Sequence, residues 1–217
     1  MRRLRPTDGT LTHKRAARYH DSKLVADGGA LQQQLHSEIA PLMATLTAKE
    51  RAVDDARDAA VAAQALEDHH ETNLENLLRD IDADLGKLDR ADAALNARAT
   101  VFPDGFGKEI EPDGDAQVDV AKDVRIRLAK FATHTLIAEH LTKFDVIVNA
   151  LKAAVTATNA AEDLVDKLFT EETDARRAIR EQLESAYGRL RAHYKAHPAK
   201  AETFFLREGS RRSAKSE

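Results

Sequence analysis

From Ala30 onward, apolar residues recur at alternating spacings of four and three. With Leu35 as the first position of a heptad, the first-position residues through residue 91 are Leu35, Leu42, Lys49, Ala56, Ala63, His70, Leu77, Asp84 and Ala91. The fourth-position residues are Ile39, Leu46, Val53, Ala60, Glu67, Leu74, Ile81, Leu88 and Leu95. Fourteen of these 18 are apolar without a phase shift, a periodicity that one face of a long helix produces and a strand does not. The pattern predicts a helix over residues 30–100, on the order of 105 Å long at about 1.5 Å per residue. Two places inside it could interrupt the backbone. Pro41 removes a helical hydrogen bond, and Thr47-Ala48-Lys49-Glu50 has the form of a capping box that starts a new helix.

The same periodicity returns further along, with Ile137, Phe144, Leu151, Val165, Ile179 and Ala186 at first positions and Leu141, Val148, Val155, Phe169, Leu183 and Leu190 at fourth positions. Twelve of its 18 seam positions are apolar. It predicts a second helix over 116–196 that stops before Pro198. Between the two runs, residues 101–116 hold Pro103, Pro112, Gly105, Gly107 and Gly114, which cannot continue a helix. A single short break implies antiparallel neighbours, with residue i opposite roughly 217 minus i. That register sets the alanine-rich stretch Ala56–Ala65 against Ala153–Ala161, face to face. Ahead of the hairpin, Thr10 or Thr12 starts a short helix over 11–26 that Gly28-Gly29 ends. The expected fold is therefore all-α: a coiled-coil-like antiparallel hairpin with a short N-terminal helix. Its divisions are a basic arm and short helix over 1–29, the hairpin over 30–197 with its loop at 101–116, and a basic tail over 198–217.

Each helix of a lone hairpin buries only one seam. Either the helix at 11–26 and the tail cover the remainder, or two chains pair into a four-helix bundle. Composition agrees with this picture, since aromatic residues make up 5% and charged residues 32% of the chain, a balance that starves a sheet and suits long solvated helices. There is no cysteine, which excludes disulfides, thiolate metal sites and a cysteine nucleophile. No apolar run is long enough to span a membrane. The basic start Met1-Arg2-Arg3-Leu4-Arg5 is not followed by an apolar segment, so a secretory signal is not expected and the cytoplasm is the expected location.

The net charge of −4 is unevenly spread. Residues 1–27 carry 7 basic and 3 acidic groups, whereas residues 30–100 carry 7 and 14. The hairpin brings Arg2, Arg3 and Arg5 to the same end as Arg211 and Arg212, a basic end able to meet nucleic-acid phosphates or an acidic partner. The acidic residues of 101–116 lack the ligand order of a calcium loop and read as a solvated turn.

Few positions carry candidate chemistry. Glu67 and His70 form a Glu-x-x-His element on the inward seam, the half-site spacing of bundle metal centres, although it occurs once and faces Asn149 in the predicted register. The blander expectation is a polar layer that fixes helix register. Glu172 and Arg176, four residues apart on the second seam, are expected to pair with each other. Phe204-Phe205-Leu206 places three large apolar groups in a polar tail. They dock either on this chain or on another protein. No catalytic constellation and no cofactor motif is present. The functional expectation is a non-catalytic structural or protein-interaction scaffold that self-associates or binds a protein partner. The alternatives are a metal-binding bundle at Glu67 and His70, or a nucleic-acid-associated protein using its basic end.

Overall fold

The structure, a computed structural model, describes residues 4–206. All regular structure among the described residues is helical. The elements are α1 (Thr10–Asp27), α2 (Ala30–Ala91), α3 (Ala97–Val101), α4 (Phe106–Glu109), α5 (Gly114–Leu128), α6 (Thr135–His193) and α7 (Pro198–Glu202), with 3-10 turns at Ala93–Leu95 and Ala129–Phe131. Two compact units divide the chain. The first takes the residues up to Ala56 and from Val165 onward, and the second is Arg57–Leu164. The long helices α2 and α6 pack antiparallel within each.

In the first unit, α1 starts after Gly9, whose carbonyl accepts the His13 and Thr12 amides. It ends at Gly28, which adopts φ +68° and returns its N–H to the Leu24 carbonyl at 3.1 Å. That left-handed cap is cheap only for a residue without a Cβ. The buried face of α1 is His13, Ala17, His20 and Leu24, spaced four, three, four. It packs with Leu35, Ile39 and Leu46 of α2, Ile179, Leu183 and Leu190 of α6, and Phe204 and Phe205 beyond α7. Glu38 ties the two long helices by accepting from Arg189 at 2.7 Å and Gln182 at 2.7 Å. Pro41 lies inside α2 on its exposed side, and the helix runs through both it and Thr47.

The second unit differs from expectation at two points: α2 ends at Ala91, short of the expected residue 100, and the second long helix is broken. Residues 116–196 do not form one helix, because the chain turns at residues 129–134 and α5 folds back on the hairpin. Its stripe Val118, Ala121, Val124 and Leu128 is buried against Leu74, Leu78, Ile81 and Leu85 of α2 and Ile137, Phe144 and Leu151 of α6. The seam of α6, extended backwards, would put Lys130, Arg127 and Asp123 inside. Breaking the helix lets α5 rotate its own apolar stripe inward. The Arg125 guanidinium then grips Asp145 of α6 through two bonds of 2.8 and 3.0 Å.

The antiparallel register also differs. Lys49 meets Glu171, Asp84 meets His140, and Glu38 meets Arg189, which places residue i opposite about 224 minus i. The alanine stretches consequently do not face each other throughout. Ala56 and Ala154 are buried, whereas Ala59, Ala62, Ala65, Ala153, Ala157 and Ala160 are exposed.

Candidate functional site

Glu67 projects from α2 in the second unit and is only 8% exposed. Its Oε1 lies 3.5 Å from where a Cβ on Gly114 would stand, and its buried Oε2 has no hydrogen-bond partner. One turn along, Glu71 accepts the Gly114 N–H at 2.8 Å. Two carboxylates of α2 therefore converge on the first residue of α5. Asp113, at the cap position of α5, makes no side-chain cap bond, so Glu71 caps that helix from a neighbouring one. The positive end of the helix dipole favours this placement. Burial nevertheless pushes the Glu71 carboxyl above its usual range, with Asp113, Glu67 and Asp68 adding to the effect against the Gly114 N–H. His70 has different surroundings: it is half-buried, its ring edge-on to His69 at 5.4 Å. Among the described residues, no three His, Asp or Glu side chains form a group able to hold a metal ion.

A second polar cluster forms where α1 begins, in the first unit. Glu172 is buried on α6 and accepts a hydrogen bond from the Thr10 hydroxyl. Arg176 does not pair with Glu172 as its spacing suggested. It donates to the Thr173 hydroxyl at 2.7 Å and lies over the Phe169 ring at 5.5 Å. His13 is fully buried beside them, and its Nδ1–H donates to the Gly9 carbonyl at 3.2 Å. Burial holds its imidazole below the usual range, and the Arg176 and Arg180 charges lower it further against the Gly9 carbonyl and Asp8.

His20, two turns further along α1, repeats the arrangement. Its Nδ1–H donates to the Phe204 carbonyl at 3.1 Å, and its ring stacks on Phe205 at 4.6 Å. Burial lowers its pKa as well, against the Phe204 carbonyl and Asp21. In both residues Nε2 is buried without a partner. Each is a neutral imidazole held by one backbone carbonyl. A bare Nε2 is the atom a general base would use, but both rings are packed within the helical core, where a substrate would have to displace that packing.

The aromatic tail docks on this chain. Phe204 and Phe205 are buried in the core of the first unit, and Leu206 is half-buried. Tyr187 meets Phe205 edge-on at 5.4 Å. Tyr194 stacks on Phe204 at 6.1 Å, and its hydroxyl donates to Asp27 at 2.9 Å while accepting from Gln32 at 2.6 Å. The Tyr194 hydroxyl, followed by Lys200, holds the Asp27 carboxyl below its usual range. Of the basic end, Arg5 is exposed, and its backbone N–H donates to Asp8 at 2.8 Å. Arg2, Arg3, Arg211 and Arg212 lie outside the described residues.

One open cleft of about 330 Å³ in the second unit is lined by Asp82, Asp89, Asn96, Arg98, Phe102 and Phe106 among others. Its charges already have structural work. Asp89 caps α3 by accepting from the Ala97 and Arg98 amides, and Asp82 holds the Arg98 guanidinium.

The polar residues that sequence reasoning passed over are His13 and His20, with Glu71. The signal for the histidines was their spacing: His13, Ala17, His20 and Leu24 make a four-three-four stripe once histidine is admitted as a core residue. Glu71 gave no such signal, because its partner lies 43 residues away. No family model, no curated protein and no solved structure matches this chain.

Proposed function

We propose that this protein is a non-catalytic helical scaffold that self-associates or binds protein partners. What supports the reading is an inversion of polarity. Val61, Ile126 and Val146 are 71%, 66% and 68% exposed, while His13, His20, Glu67 and Glu172 are buried. A buried polar side chain and an exposed apolar one are the informative departures from ordinary burial. Inside, Glu172 ties α6 to the start of α1, and His20 ties α1 to the segment after α7. Outside, aliphatic groups offer contact area that solvent alone does not reward.

The experiment is mass spectrometry of what co-purifies with the tagged chain from its native cells, with metal content read on the same sample. A stoichiometric protein partner is the expected result. A clean chain carrying about one or two metal ions would overturn it. That outcome would favour the metal-binding reading at Glu67 and His70, for which the partnerless Oε2 of Glu67 is the supporting observation.

A further inference from the structure

The face that docks α1 is half histidine. His13, Ala17, His20 and Leu24 are its buried side chains, and each is at most 1% exposed. In the second unit, α5 packs on the long helices through Val118, Ala121, Val124 and Leu128, which are aliphatic throughout. The apolar members of the α1 stripe are a leucine and an alanine, so apolar burial holds α1 only weakly.

Both histidines are packed as neutral rings. Each donates its Nδ1–H to one backbone carbonyl, that of Gly9 for His13 and of Phe204 for His20. Each leaves Nε2 buried without a partner. As a bare acceptor, that nitrogen forfeits one hydrogen bond. A second proton would turn it into a charged N–H donor with nothing to accept it, a much larger cost in a dry interior. The cost vanishes once α1 leaves, because water then solvates both nitrogens.

The charged groups nearby do not reverse this. On α6, Arg176 and Arg180 oppose a charge on His13, while Asp8 favours one. Glu172 of α6 engages Thr10, and Glu50 of α2 engages Lys14. Beside His20, Asp21 favours the charge, although it also pairs with His36 of α2. The segment after α7 offers His20 only the Phe204 carbonyl and the Phe205 ring, with Tyr187 of α6 behind that ring. At the far end of α1, Asp27 meets Tyr194 and Lys200. Burial has the largest influence on both imidazoles and disfavours the proton.

We propose that α1 is an acid-released clamp: protonation of His13 and His20 undocks it from α2 and α6, hinging at Gly28-Gly29, and bares the apolar groove that it covers. The proposal goes beyond the scaffold reading and does not depend on it. Gly28 stands at φ +68°, and without a Cβ it can change backbone basin freely, so release needs no break in α2. Leu35, Ile39, Leu183 and Phe205, which share a core with α1, lose their cover. The segment after α7 loosens too, because the Phe204 carbonyl loses its donor.

The response is steep because two protons act on one equilibrium. The rings are neutral when docked and regain an ordinary affinity, near pH 6.5, when released. Each then raises the ratio of released to docked α1 by up to about thirtyfold between about pH 7.5 and about pH 5, and the pair by up to about a thousandfold. The contact of His36 with Asp21 strengthens as His36 gains its proton and opposes release, so these values are ceilings.

The test is hydrogen exchange on the full chain at about pH 7.5 and about pH 5, read as protection relative to each amide's intrinsic rate. A free helix of 18 residues is marginal in water, so released α1 exchanges. Its protection should fall at least about a hundredfold across that range, while residues 35–46 and 179–190 stay protected. His13→Gln and His20→Gln each keep a donor for the carbonyl and take no charge. Either alone should cut the fall to about thirtyfold or less, and the two together should abolish it. An α1 that keeps its protection at about pH 5 overturns the proposal. So does loss of protection in α1 and in residues 35–46 and 179–190 together, which is unfolding of the unit and not release. An undiminished fall in the double variant also overturns it and assigns the response to carboxylates such as Glu172. If the double variant does not fold, the single variants decide by the same criterion.

Discussion

Phe205 makes the sharpest stability test, because its ring is held by two separate helices of the first unit. It is 4% exposed and packs with α1 through His20 and with α6 through Tyr187. Phe205→Ala removes the ring from a site whose neighbours sit on continuous helices and cannot collapse inward. The expected loss lies in the range for large-to-small aromatic changes, about 3–4 kcal/mol. For a cooperative unit of about 110 residues, each kcal/mol moves the thermal midpoint by about 4 °C, so the melt should shift down by roughly 12–16 °C. Phe169→Ala is the matched control, since Phe169 is 46% exposed and its described ring contact is the Arg176 guanidinium. Such a contact is worth about 0.5–1 kcal/mol at an exposed site, and its shift should stay within about 4 °C. Thermal melts followed by far-UV circular dichroism read both. A Phe205→Ala midpoint within about 3 °C of wild type would refute the reasoning, and Phe204-Phe205-Leu206 would then be free to dock on another protein.

Three further outcomes follow from the same geometry. His13 and His20 are neutral when folded and regain their ordinary affinity for a proton, near pH 6.5, on unfolding. Stability measured by urea titration should therefore be flat above that pH and fall as pH drops below it, by at most about 1.4 kcal/mol per pH unit for each imidazole; a flat profile down to about pH 5 would contradict their burial. Glu71 runs the other way, because its raised folded pKa makes the charged form costly and acidification towards the unfolded value stabilising. Glu71→Gln keeps an acceptor for the Gly114 N–H, so it should raise the thermal midpoint at neutral pH and remove that acid gain. A lower midpoint would show that the carboxylate's charge at the α5 terminus outweighs its burial. Pro41→Ala restores a backbone donor on the exposed side of α2 and should stabilise the chain by up to about 3 kcal/mol, which chemical denaturation would register as a higher midpoint; no gain would mean the helix already accommodates the ring without cost.

The hairpin was legible because an apolar repeat kept in one phase over some sixty residues has a single physical reading. The boundaries of α1 were legible for a different reason: Gly28 can take a left-handed backbone that other residues resist. The turn before α6 was in the sequence too, but as a phase change. Val118, Ala121, Val124 and Leu128 are offset from the seam that starts at Ile137, and composition alone, with no proline or glycine in residues 129–134, conceals it. The register was not legible. Alanine faces match at several offsets with almost equal burial, so the pairing is decided by specific partners such as Asp84 with His140 at 2.8 Å and Glu38 with Arg189. Glu172 shows why short spacing misleads: Arg176 was a partner four residues away, yet Thr10, from the start of the chain, reached the buried carboxylate instead.

The two units also differ in how the chain delivers them. Arg57–Leu164 is one uninterrupted segment, whereas the other unit joins its two ends across that insertion. During synthesis the inserted segment has every residue of its core before Val165 is made, and units whose residues are all present can fold as they emerge. Joining the ends of an open loop of about 108 residues costs on the order of 4 kcal/mol in chain entropy. A folded antiparallel insertion has already brought its own two ends together and removes most of that cost. Phe204 and Phe205, which follow that insertion in the chain, then complete a site whose α1 and α2 walls precede it. Refolding from denaturant should follow the same order, with protection of Leu74–Leu85 amides preceding that of Leu24 and Leu35.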